Sequence, residues 1–277
     1  MDELLNYLQL QSKAVPIGGG DTNQAYRVTD GERDYFLKYH PQMSADFFQA
    51  EVGGLEELSN FVRVPKVFRH GTFMEGAFIL MEWIEPGEGD QKDLAHALSK
   101  IHRVKADYFG YKKNNFIGVL PQINTFTRDW WDFYFTYRLE IQIEIAKGRN
   151  HWTTKREQNY QLFKEKKKKK WGTMSFEPTL LHGDFWSGNT FFDTQGQPVF
   201  IDPVVSYGHR EVDLAMSQLF GGFRREFIDS YQEILPMRAG WEERLTIYQL
   251  YYLLVHLNTF GESYGDAVDR VLALGGK

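Results

Sequence analysis

The chain has 277 residues, with 42% hydrophobic and 25% charged side chains, which suits one large globular domain or two small ones. Its 32 basic and 37 acidic residues give a formal net charge of −5, so we expect no binding to nucleic acid or membranes. Because cysteine is absent, disulfides, thiolate zinc sites and cysteine nucleophiles are excluded. The opening MDELLNYLQLQSK lacks the pattern of a secretory signal, and the most apolar stretch, LTIYQLYYLLVHLNTF, is too short and polar to span a bilayer. We therefore expect a soluble, cytoplasmic protein.

Near the N-terminus, NQAYRVTDGERDYFLKYH predicts a β-hairpin, with strands at residues 24–28 and 33–39 around a TDGE turn. Ser44 follows as a candidate N-cap for a helix that runs to about Ser59. The apolar residues of this segment recur at helical spacing, which predicts that one side of the helix is buried.

Further strands and a linker follow this helix. VRVPKVFRHGTFMEGAFILMEWI predicts two or three short strands, with glycine turns at Gly71 and Gly76. EPGEGD, at residues 85–90, has the composition of a linker. The order of strand, strand, helix and strands indicates a small α+β lobe over residues 1–84, ahead of a larger lobe over residues 85–277.

Beyond the linker the sequence is mainly helical. The predicted helices cover residues 91–103, 128–147, 210–220 and 241–260. One β-hairpin is predicted between them, from TFFD through a TQGQ turn to PVFID. We interpret the aromatic cluster FTRDWWDFYFTYRL as the core face of a helix. The lysine run KEKKKKKWG is typical of a solvated face or loop, and the negative net charge argues against a nucleic-acid site there.

The stretch LHGDFWSGN carries the strongest chemical signal. His182, Asp184 and Asn189 have the H-x-D-x₄-N spacing of a kinase catalytic loop, where the Asp accepts a hydroxyl proton and the Asn binds Mg²⁺. Asp202, in IDP, follows the predicted hairpin, so we expect it at the same hairpin mouth as the other two. Carboxylate and amide oxygens are ligands that Mg²⁺ prefers. An ordinary loop with a structural histidine is the alternative, and it would suit HGD better than the whole pattern.

Three features upstream could contact a nucleotide. Gly19, Gly20 and Asp21, in IGGGDTNQAY, belong to a glycine-rich turn whose backbone N–H groups could lie over phosphates, although such a run is often a plain linker. Lys38, at the end of the second hairpin strand, could reach the phosphates, and Glu51 in the following helix could pair with it. A surface lysine and a surface glutamate are the alternative.

Taken together, these segments resemble the fructosamine/ketosamine-3-kinase family, within the aminoglycoside phosphotransferase and protein-kinase-like fold. The resemblance covers nearly the whole chain and is carried by GGGDTNQAYRV, FLK, EVGGLEEL, MEWIE, WWDFYFTYRL, LLHGDFWSGN, IDPVVSYGHREVDLAMSQLFGGF and YQLYYLLVHLNTFG. HGD and IDP are shared with many small-molecule kinases, whereas WSGN and GHREVDLAM…LFGGF are more specific. The resemblance implies a bilobal α+β fold, with a nucleotide-binding lobe at residues 1–84 and a catalytic and substrate-binding lobe at residues 85–277.

The resemblance also implies roles for individual residues and two cofactors, ATP and Mg²⁺. The implied roles are a catalytic base (Asp184), magnesium ligands (Asn189 and Asp202), nucleotide phosphate contacts (Gly19, Gly20, Asp21, Lys38 and Glu51), an adenine-binding hinge (Glu82, Trp83 and Ile84), support of the catalytic loop (His182 and Asp213) and candidate acceptor contacts (Trp186 and His209). From the sequence, the indole of Trp186 fits the core as well as it fits a site beside the sugar.

The implied activity is ATP-dependent phosphorylation of a ketosamine, a sugar joined to an amine as a ketoamine, at its third carbon. The phosphorylated adduct then breaks down and releases the amine, so that ketoamine small molecules or glycated proteins are the expected acceptors. Two alternatives stay open: a kinase of the same fold for another small alcohol, such as an aminoglycoside, choline or homoserine, and a nucleotide-binding pseudokinase that acts as an interaction module.

The segment after Asp202 bears on regulation. Only ten residues, PVVSYGHREV, separate Asp202 from Asp213, which is short for a loop that orders on phosphorylation. Pro203 is expected to restrict Asp202 to extended geometry and so to hold it in one pose. We therefore expect constitutive activity, with no phosphorylation switch at Ser206 or Tyr207.

Overall fold

The computed structural model describes residues 1–11, 13–18 and 23–274. An antiparallel sheet of five strands forms the smaller lobe, in the order β1-β2-β3-β5-β4. Its strands are β1 Val15–Pro16, β2 Gln24–Thr29, β3 Asp34–His40, β4 Val67–Phe73 and β5 Gly76–Glu82. Strands β2 and β3 form the hairpin that the sequence predicts, with Gln24 opposite Tyr39 and Thr29 opposite Asp34.

One predicted turn of this lobe is wrong. Gly71 lies inside β4, where it pairs with Phe78 of β5. The chain reverses later, at residues 74–75, and Met74 takes the left-handed backbone conformation there, with a φ of 53°. A Cβ atom at position 71 would lie 3.7 Å from the Phe78 ring, which is ordinary van der Waals contact, so this contact does not itself require glycine.

Two helices cover the faces of the five-stranded sheet. Helix α1 (Asp2–Leu8) packs on one face and forms a separate apolar cluster with side chains of β2, β3 and β5. Helix α2 (Ala45–Ser59) packs on the other face, and it begins where Ser44 predicts, although the Ser44 side chain makes no capping hydrogen bond. The buried side of α2 joins the main hydrophobic core, which also contains the helices of the larger lobe. The core is thus shared by the two lobes, and a boundary at residue 84 stays a prediction.

The predicted linker also contributes a strand. Within EPGEGD, β6 (Pro86–Gly87) pairs with a hairpin of the larger lobe, because Gly87 lies opposite Phe192 and Pro86 opposite Asp193. A Cβ atom at position 87 would lie 2.3 Å from the carbonyl oxygen of Asp193. The segment is therefore held against the larger lobe by its backbone, and its glycine permits this close approach.

The larger lobe is mainly helical and contains several short strands. Its helices are α3 Gln91–His102, α4 Trp130–Phe133, α5 Ile141–Gly148, α6 Thr154–Trp171, α7 Glu211–Leu219, α8 Arg225–Ile234, α9 Trp241–Phe260 and α10 Gly265–Ala273. Its strand pairs are β7 Asn115–Ile117 with β8 Leu120–Gln122, β9 Thr179–Leu181 with β12 Ser206–Gly208, and β10 Thr190–Asp193 with β11 Pro198–Phe200. The four predicted helices and the predicted hairpin are confirmed, whereas α1, α6, α8 and α10 were not predicted.

The aromatic cluster forms the centre of the larger lobe. A π-helical turn, Tyr134–Glu140, joins α4 to α5 in one continuous helix. Trp131, Tyr134 and Phe135 are buried there, which confirms their interpretation as core. Their polar atoms are satisfied by neighbouring backbone, since the Trp131 indole donates to the carbonyl of Trp171 and the Tyr134 hydroxyl donates to a carbonyl of α9.

The lysine run lies on a helix and not in a loop. It forms the second half of α6, and Lys167 is buried with its ammonium 2.9 Å from Glu243. Lys164 pairs with Glu140, and Lys168 pairs with an exposed carboxylate of α4. The sequence prediction of a solvated face or loop is therefore only partly right. The lysines are held by carboxylates from distant parts of the chain. The run itself has no amphipathic period from which its partial burial could be predicted.

Among the described residues, no helix combines the length with the apolar character that crossing a bilayer requires.

A buried ion pair joins α7 to α9 and generates a stability prediction. Arg244 and Glu211 are almost fully buried, and two guanidinium nitrogens donate to the two carboxylate oxygens at 2.7 Å. Arg244→Met should lower the free energy of unfolding by about 3–5 kcal/mol, because it leaves a buried carboxylate without its partner. Urea denaturation would measure this loss.

The double variant Arg244→Met with Glu211→Leu serves as the control. It removes both charges, so most of the lost stability should return. A double variant that is as unstable as Arg244→Met alone would show that the loss comes from packing and not from the unpaired charge.

Candidate active site

A cavity of about 790 Å³ lies where the two lobes meet. The residues predicted from sequence that line it are Lys38, Glu51, Asp184, Trp186, Asn189 and Asp202. The wall also includes residues of the β7–β8 hairpin, the start of the segment after Asp202, α2, α7 and the C-terminal half of α9, together with Asn23, Phe220 and Tyr264. The structure thus brings Lys38 into contact with Asp202, 164 positions away in sequence.

The H-x-D-x₄-N segment folds back on itself at the mouth of the β10–β11 hairpin. The Asn189 side-chain amide donates to the Asp184 carbonyl at 2.9 Å and to its carboxylate at 3.0 Å. The carbonyl of Asn189 in turn accepts from the backbone of Ile201, one residue before Asp202. Strand pairing therefore sets the distance between the ends of the hairpin, and the sequence prediction that the three residues meet at its mouth agrees with this arrangement.

A buried carboxylate on α7 holds the start of this segment. Asp213 is fully buried, and its two oxygens accept from the backbone N–H groups of His182 at 2.7 Å and Gly183 at 2.8 Å. His102 approaches the same carboxylate at 3.1 Å. The left-handed φ of 88° at Gly183 requires glycine, because a Cβ there would lie 1.9 Å from the carbonyl oxygen of Val204. The backbone leading to Asp184 is therefore fixed on both sides.

His182 has a structural setting. Its ring is fully buried, and burial lowers its pKa below the ordinary value for histidine, so the ring is neutral. Nε2 donates to the Ile201 carbonyl at 2.9 Å, and Nδ1 accepts from the backbone N–H of Asp184. The ring thus connects the backbone at Asp184 to the residue that follows β11, and it does not line the cavity.

A lysine joins the smaller lobe to Asp202. The Lys38 ammonium lies 2.9 Å from Glu51 and also contacts the Asp202 carboxylate. Burial lowers the pKa of Lys38, but the carboxylates of Asp202 and Glu51 outweigh burial, so that its pKa lies above the ordinary value. Lys38 is therefore a permanent cation at the cavity, oriented by a carboxylate from each lobe.

The backbone at Asp202 differs from the expectation. Pro203 predicts extended geometry for the preceding residue, yet Asp202 has a φ of 55° in the left-handed region. The backbone just after it is tied down, because the N–H of Val204 donates to the carbonyl of His182 at 2.7 Å. A non-glycine residue in this conformation costs about 1–3 kcal/mol and is typical of functional sites, and here it accompanies contact with Lys38.

The charge balance at the cavity favours a cation beside Asp184. Burial raises the pKa of Asp184 to about 7, with a further increase from the neighbouring Asp202 charge, while the hydrogen bond from Asn189 lowers it. Among the described residues, no group of three or more His, Cys, Asp or Glu side chains could hold a metal ion. A metal here would need the amide oxygen of Asn189, whose NH₂ group is already committed to Asp184.

Two of the predicted hinge residues have side-chain partners of their own. Glu82, at the end of β5, accepts from the Arg63 guanidinium and from the backbone of Lys66. The guanidinium of Arg27 lies 4.5 Å above the Trp83 ring, in cation–π contact. Neither these two residues nor Ile84 lines the cavity.

The remaining sequence predictions lie elsewhere. His209 is buried, with its ring 3.9 Å from Phe176 and its Nδ1 hydrogen-bonded to Tyr248, so it is not a cavity residue and cannot contact an acceptor there. It follows β12 directly and packs within the larger lobe. Gly19, Gly20 and Asp21 lie outside the described residues.

Sequence reasoning missed an aromatic wall of the cavity. Phe220 packs against His256 of α9 with ring centroids 4.6 Å apart, and Tyr264 approaches the same imidazole at 4.9 Å. Phe220 and Phe260 are partly exposed at the cavity, and Trp186 faces Phe220. His256 and Phe260 are one helical turn apart in sequence, and this spacing could have predicted that they share a face of α9.

The chain matches proteins of known family over nearly its whole length. A family model described as fructosamine kinase matches residues 2–274. A probable ketoamine kinase of Enterococcus faecium is 56% identical over 269 residues, covering 97% of both proteins. The chloroplastic protein-ribulosamine 3-kinase of Oryza sativa is 38% identical over 284 residues, covering 98% of this chain and 82% of that one. A solved candidate fructosamine-3-kinase from Haemophilus somnus has a TM-score of 0.86 at 25% identity, covering 95% of this chain and 91% of the other.

The same fold occurs in more distant proteins. An aminoglycoside phosphotransferase, solved in ternary complex with AMP-PNP and hygromycin B, has a TM-score of 0.67 at 16% identity and covers 99% of this chain and 98% of that one. At this identity the likeness shows the fold alone. It confirms the bilobal, protein-kinase-like α+β fold that the sequence predicts.

The close approach of Gly188 to Trp186 generates a prediction for the cavity wall. A Cβ atom at position 188 would lie 2.3 Å from the outer edge of the Trp186 indole. Gly188→Ala should therefore push the indole from its place with little change in backbone conformation. Near-UV circular dichroism and the quenching of tryptophan fluorescence by acrylamide would detect the shift.

Gly53→Ala is the matched control, because Gly53 lies in α2 and a methyl group at that position would meet no atom of another element within 4 Å. It should leave the tryptophan signals unchanged and stabilise the helix by up to about 1 kcal/mol. Identical tryptophan signals in the two variants would show that the indole does not depend on Gly188.

Proposed function

We propose that this chain, which belongs to the fructosamine kinase family, transfers the terminal phosphoryl group of ATP to the 3-hydroxyl of ketosamines such as fructosamine and ribulosamine adducts. The observation that carries the proposal is the meeting of Lys38, Asp184, Asn189 and Asp202 on one cavity. The names of the relatives, ketoamine kinase and protein-ribulosamine 3-kinase, support the acceptor class. The phosphorylated adduct would then break down and release the amine, which amounts to deglycation of small amines or proteins.

Asn189 and Asp202 fit a magnesium ion. They offer an amide oxygen and a carboxylate, the hard oxygen ligands that Mg²⁺ prefers, and the chain has no thiolate to compete. When bound, Mg²⁺ would neutralise charge on the transferred phosphoryl group. Because Asn189 also donates to Asp184, the proposed ligand and the proposed base keep a fixed relation.

Lys38 and Glu51 would position the nucleotide phosphates. The Lys38 ammonium is buried and oriented by Glu51 at 2.9 Å, so it acts as a fixed point charge for phosphate oxygens. Its present contact with Asp202 would be exchanged for phosphate when nucleotide binds. The backbone at Glu82–Ile84 and the glycine-rich turn at residues 19–21 are proposed to bind adenine and phosphates respectively.

Asp184 would act as the general base. Its carboxylate accepts the proton of the sugar hydroxyl while that oxygen bonds to the terminal phosphorus and the bond from phosphorus to the ADP oxygen breaks. Burial, which raises the pKa of Asp184 to about 7, makes it a better proton acceptor than an exposed carboxylate. His182 and Asp213 would act indirectly, by holding the backbone on which Asp184 sits.

The aromatic wall supports a sugar acceptor. Trp186, Phe220 and Phe260 line the cavity, and the apolar face of a sugar could pack against their rings. The acidic side chains among the described lining residues are Glu51, Asp184 and Asp202, all of which have proposed roles in phosphate binding or catalysis, so few remain to bind the amines of a polycationic aminoglycoside. A pseudokinase role is disfavoured because every proposed catalytic and metal-binding side chain is present. A cytoplasmic location and the lack of a nucleic-acid partner stay predictions.

A panel of acceptors tests the proposed activity. Fructosamine, ribulosamine and erythrulosamine adducts of lysine, incubated with ATP and Mg²⁺, should each be scored by the mass increase of the acceptor. At least one should gain a phosphoryl group, and its analogue without a 3-hydroxyl should not. Phosphorylation of an aminoglycoside, choline or homoserine with no ketosamine product would instead identify the alternative small-alcohol kinase.

Two substitutions test the division of roles in the site. Asp184→Asn keeps the shape of the side chain but removes the base, so turnover should fall about 10²–10⁴-fold while ATP affinity and melting temperature stay nearly unchanged. Asp202→Ala removes a metal ligand, so it should also raise the Mg²⁺ concentration needed for half-maximal rate. Magnesium titrations that coincide for the two variants would contradict these assignments.

A further inference from the structure

The aromatic helix that crosses the larger lobe carries a buried cation that the proposed mechanism does not use. Arg138 lies in the π-helical turn with about 5% of its surface exposed. No carboxylate of the described residues lies within ion-pair distance of it. Its guanidinium instead donates to the carbonyl of Ile123 at 2.6 Å, the side-chain oxygen of Asn124 at 2.7 Å and the hydroxyl of Ser206 at 3.2 Å. The guanidinium also lies over the Phe133 ring, 4.5 Å from its centroid. A buried charge without a carboxylate partner is costly, so these neutral partners have to be well placed.

Asn124 connects Arg138 to the cavity wall through further hydrogen bonds. Its NH₂ group donates to the side-chain oxygen of Asn115 at 2.8 Å, and the NH₂ group of Asn115 donates to the backbone carbonyl of Val205 at 2.9 Å. The direction of this chain of hydrogen bonds is fixed at both ends. Arg138 can only donate and a backbone carbonyl can only accept, so neither amide can turn over without losing two hydrogen bonds.

A second branch connects the same amide to α9. Gln122 donates to the side-chain oxygen of Asn115 at 2.9 Å and accepts from the hydroxyl of Tyr251 at 2.7 Å. The neighbouring Tyr252 donates to the carbonyl of Gly183, one residue before the proposed base. The five buried side chains of this network are defined here as the Arg138 relay: Arg138, Asn124, Asn115, Gln122 and Tyr251.

The relay holds the base of the β7–β8 hairpin, because Asn115 begins β7 and Gln122 ends β8. Asn115, together with Phe116, Ile117 and Gly118, lines the cavity. The cavity touches the proposed phosphate contacts but none of the hinge at Glu82–Ile84. The hairpin therefore belongs to the wall of this cavity, which the proposed adenine hinge does not line.

We propose that Arg138 is a positioning residue for the acceptor: through the relay it fixes the β7–β8 hairpin against the segment after Asp202 and so sets the width of the acceptor site. This inference rests on the proposed function for its kinetic consequence. The competing view is that Arg138 is structural only, in which case its partners would affect stability and not the affinity for one substrate.

Asn124→Asp separates these two views. An aspartate at this position gives Arg138 the carboxylate that it lacks, which favours stability, but it cannot donate to Asn115. Two acceptors then face each other, and the hairpin has to shift. We expect the melting temperature to hold, the KM for the ketosamine to rise at least about tenfold, and the KM for ATP to change less than about twofold.

A matched pair of tyrosine variants on α9 provides the second test. Tyr251→Phe removes only the hydroxyl that donates to Gln122, so it should raise the ketosamine KM in the same direction as Asn124→Asp but by less. Tyr248→Phe removes a buried hydroxyl one turn earlier that bonds Trp130 and His209, outside the relay. It should lower stability and leave both KM values unchanged.

Three results would overturn the proposal. These are an unchanged ketosamine KM in Asn124→Asp, equal increases in the KM values for ketosamine and ATP, or the same rise in ketosamine KM in Tyr248→Phe.

Hydrogen–deuterium exchange provides a readout that needs no substrate. Backbone amides of residues 115–122 should exchange faster in Asn124→Asp than in the wild type, while those of α9 stay unchanged. If the wild type phosphorylates no ketosamine, the proposed function is wrong. The positioning role is then tested by exchange alone, and it is rejected if residues 115–122 of Asn124→Asp exchange at the wild-type rate.

Discussion

The buried carboxylate of Asp213 is the constraint on which the candidate active site depends. Within the described part of the chain it has no Lys or Arg partner. It is stabilised instead by His102 and by the backbone N–H groups of residues 182 and 183, so both of its oxygens bind this turn. That turn directly precedes Asp184 and fixes the backbone on which it lies. The backbone of Val204 is bonded to the same turn, so the segment that leaves Asp202 is fixed by it as well. One carboxylate thus sets the relation between the proposed base and the proposed metal ligand.

Much of this site could be predicted from sequence because its residues fall into two groups, and the members of each group are close along the chain. Asp184, Asn189 and Asp202 are separated only by a turn and a hairpin, and strand pairing has few possible registers over so short a span. The pairing of Lys38 with Glu51 was suggested by their order on a strand and the following helix, and the structure places them 2.9 Å apart. Sequence patterns therefore predict those parts of the site whose geometry is set by residues close along the chain.

The features that sequence reasoning missed depend on distant contacts. The left-handed backbone of Asp202 opposes the local effect of Pro203, and it accompanies the contact of Asp202 with Lys38 and the hydrogen bond from Val204 to His182. The lysines of α6 find carboxylates on α4, α9 and the π-helical turn, which no pattern within the run encodes. His209 lies within the family-specific string GHREVDLAM, but the backbone after β12 turns it into the core. In each case the deciding partner lies far away in sequence.

The Arg138 relay and the Asp213 brace together bear on regulation. Ser206 is buried in β12, lies opposite Leu181 of β9, and accepts from Arg138. A phosphate on Ser206 would need β12 to separate from β9, and β9 leads directly into the turn that Asp213 holds. Phosphorylation at this position would therefore dismantle the site instead of ordering it. A switch of the protein-kinase type requires a segment with two stable arrangements, whereas here both flanks of the segment are fixed by buried hydrogen bonds.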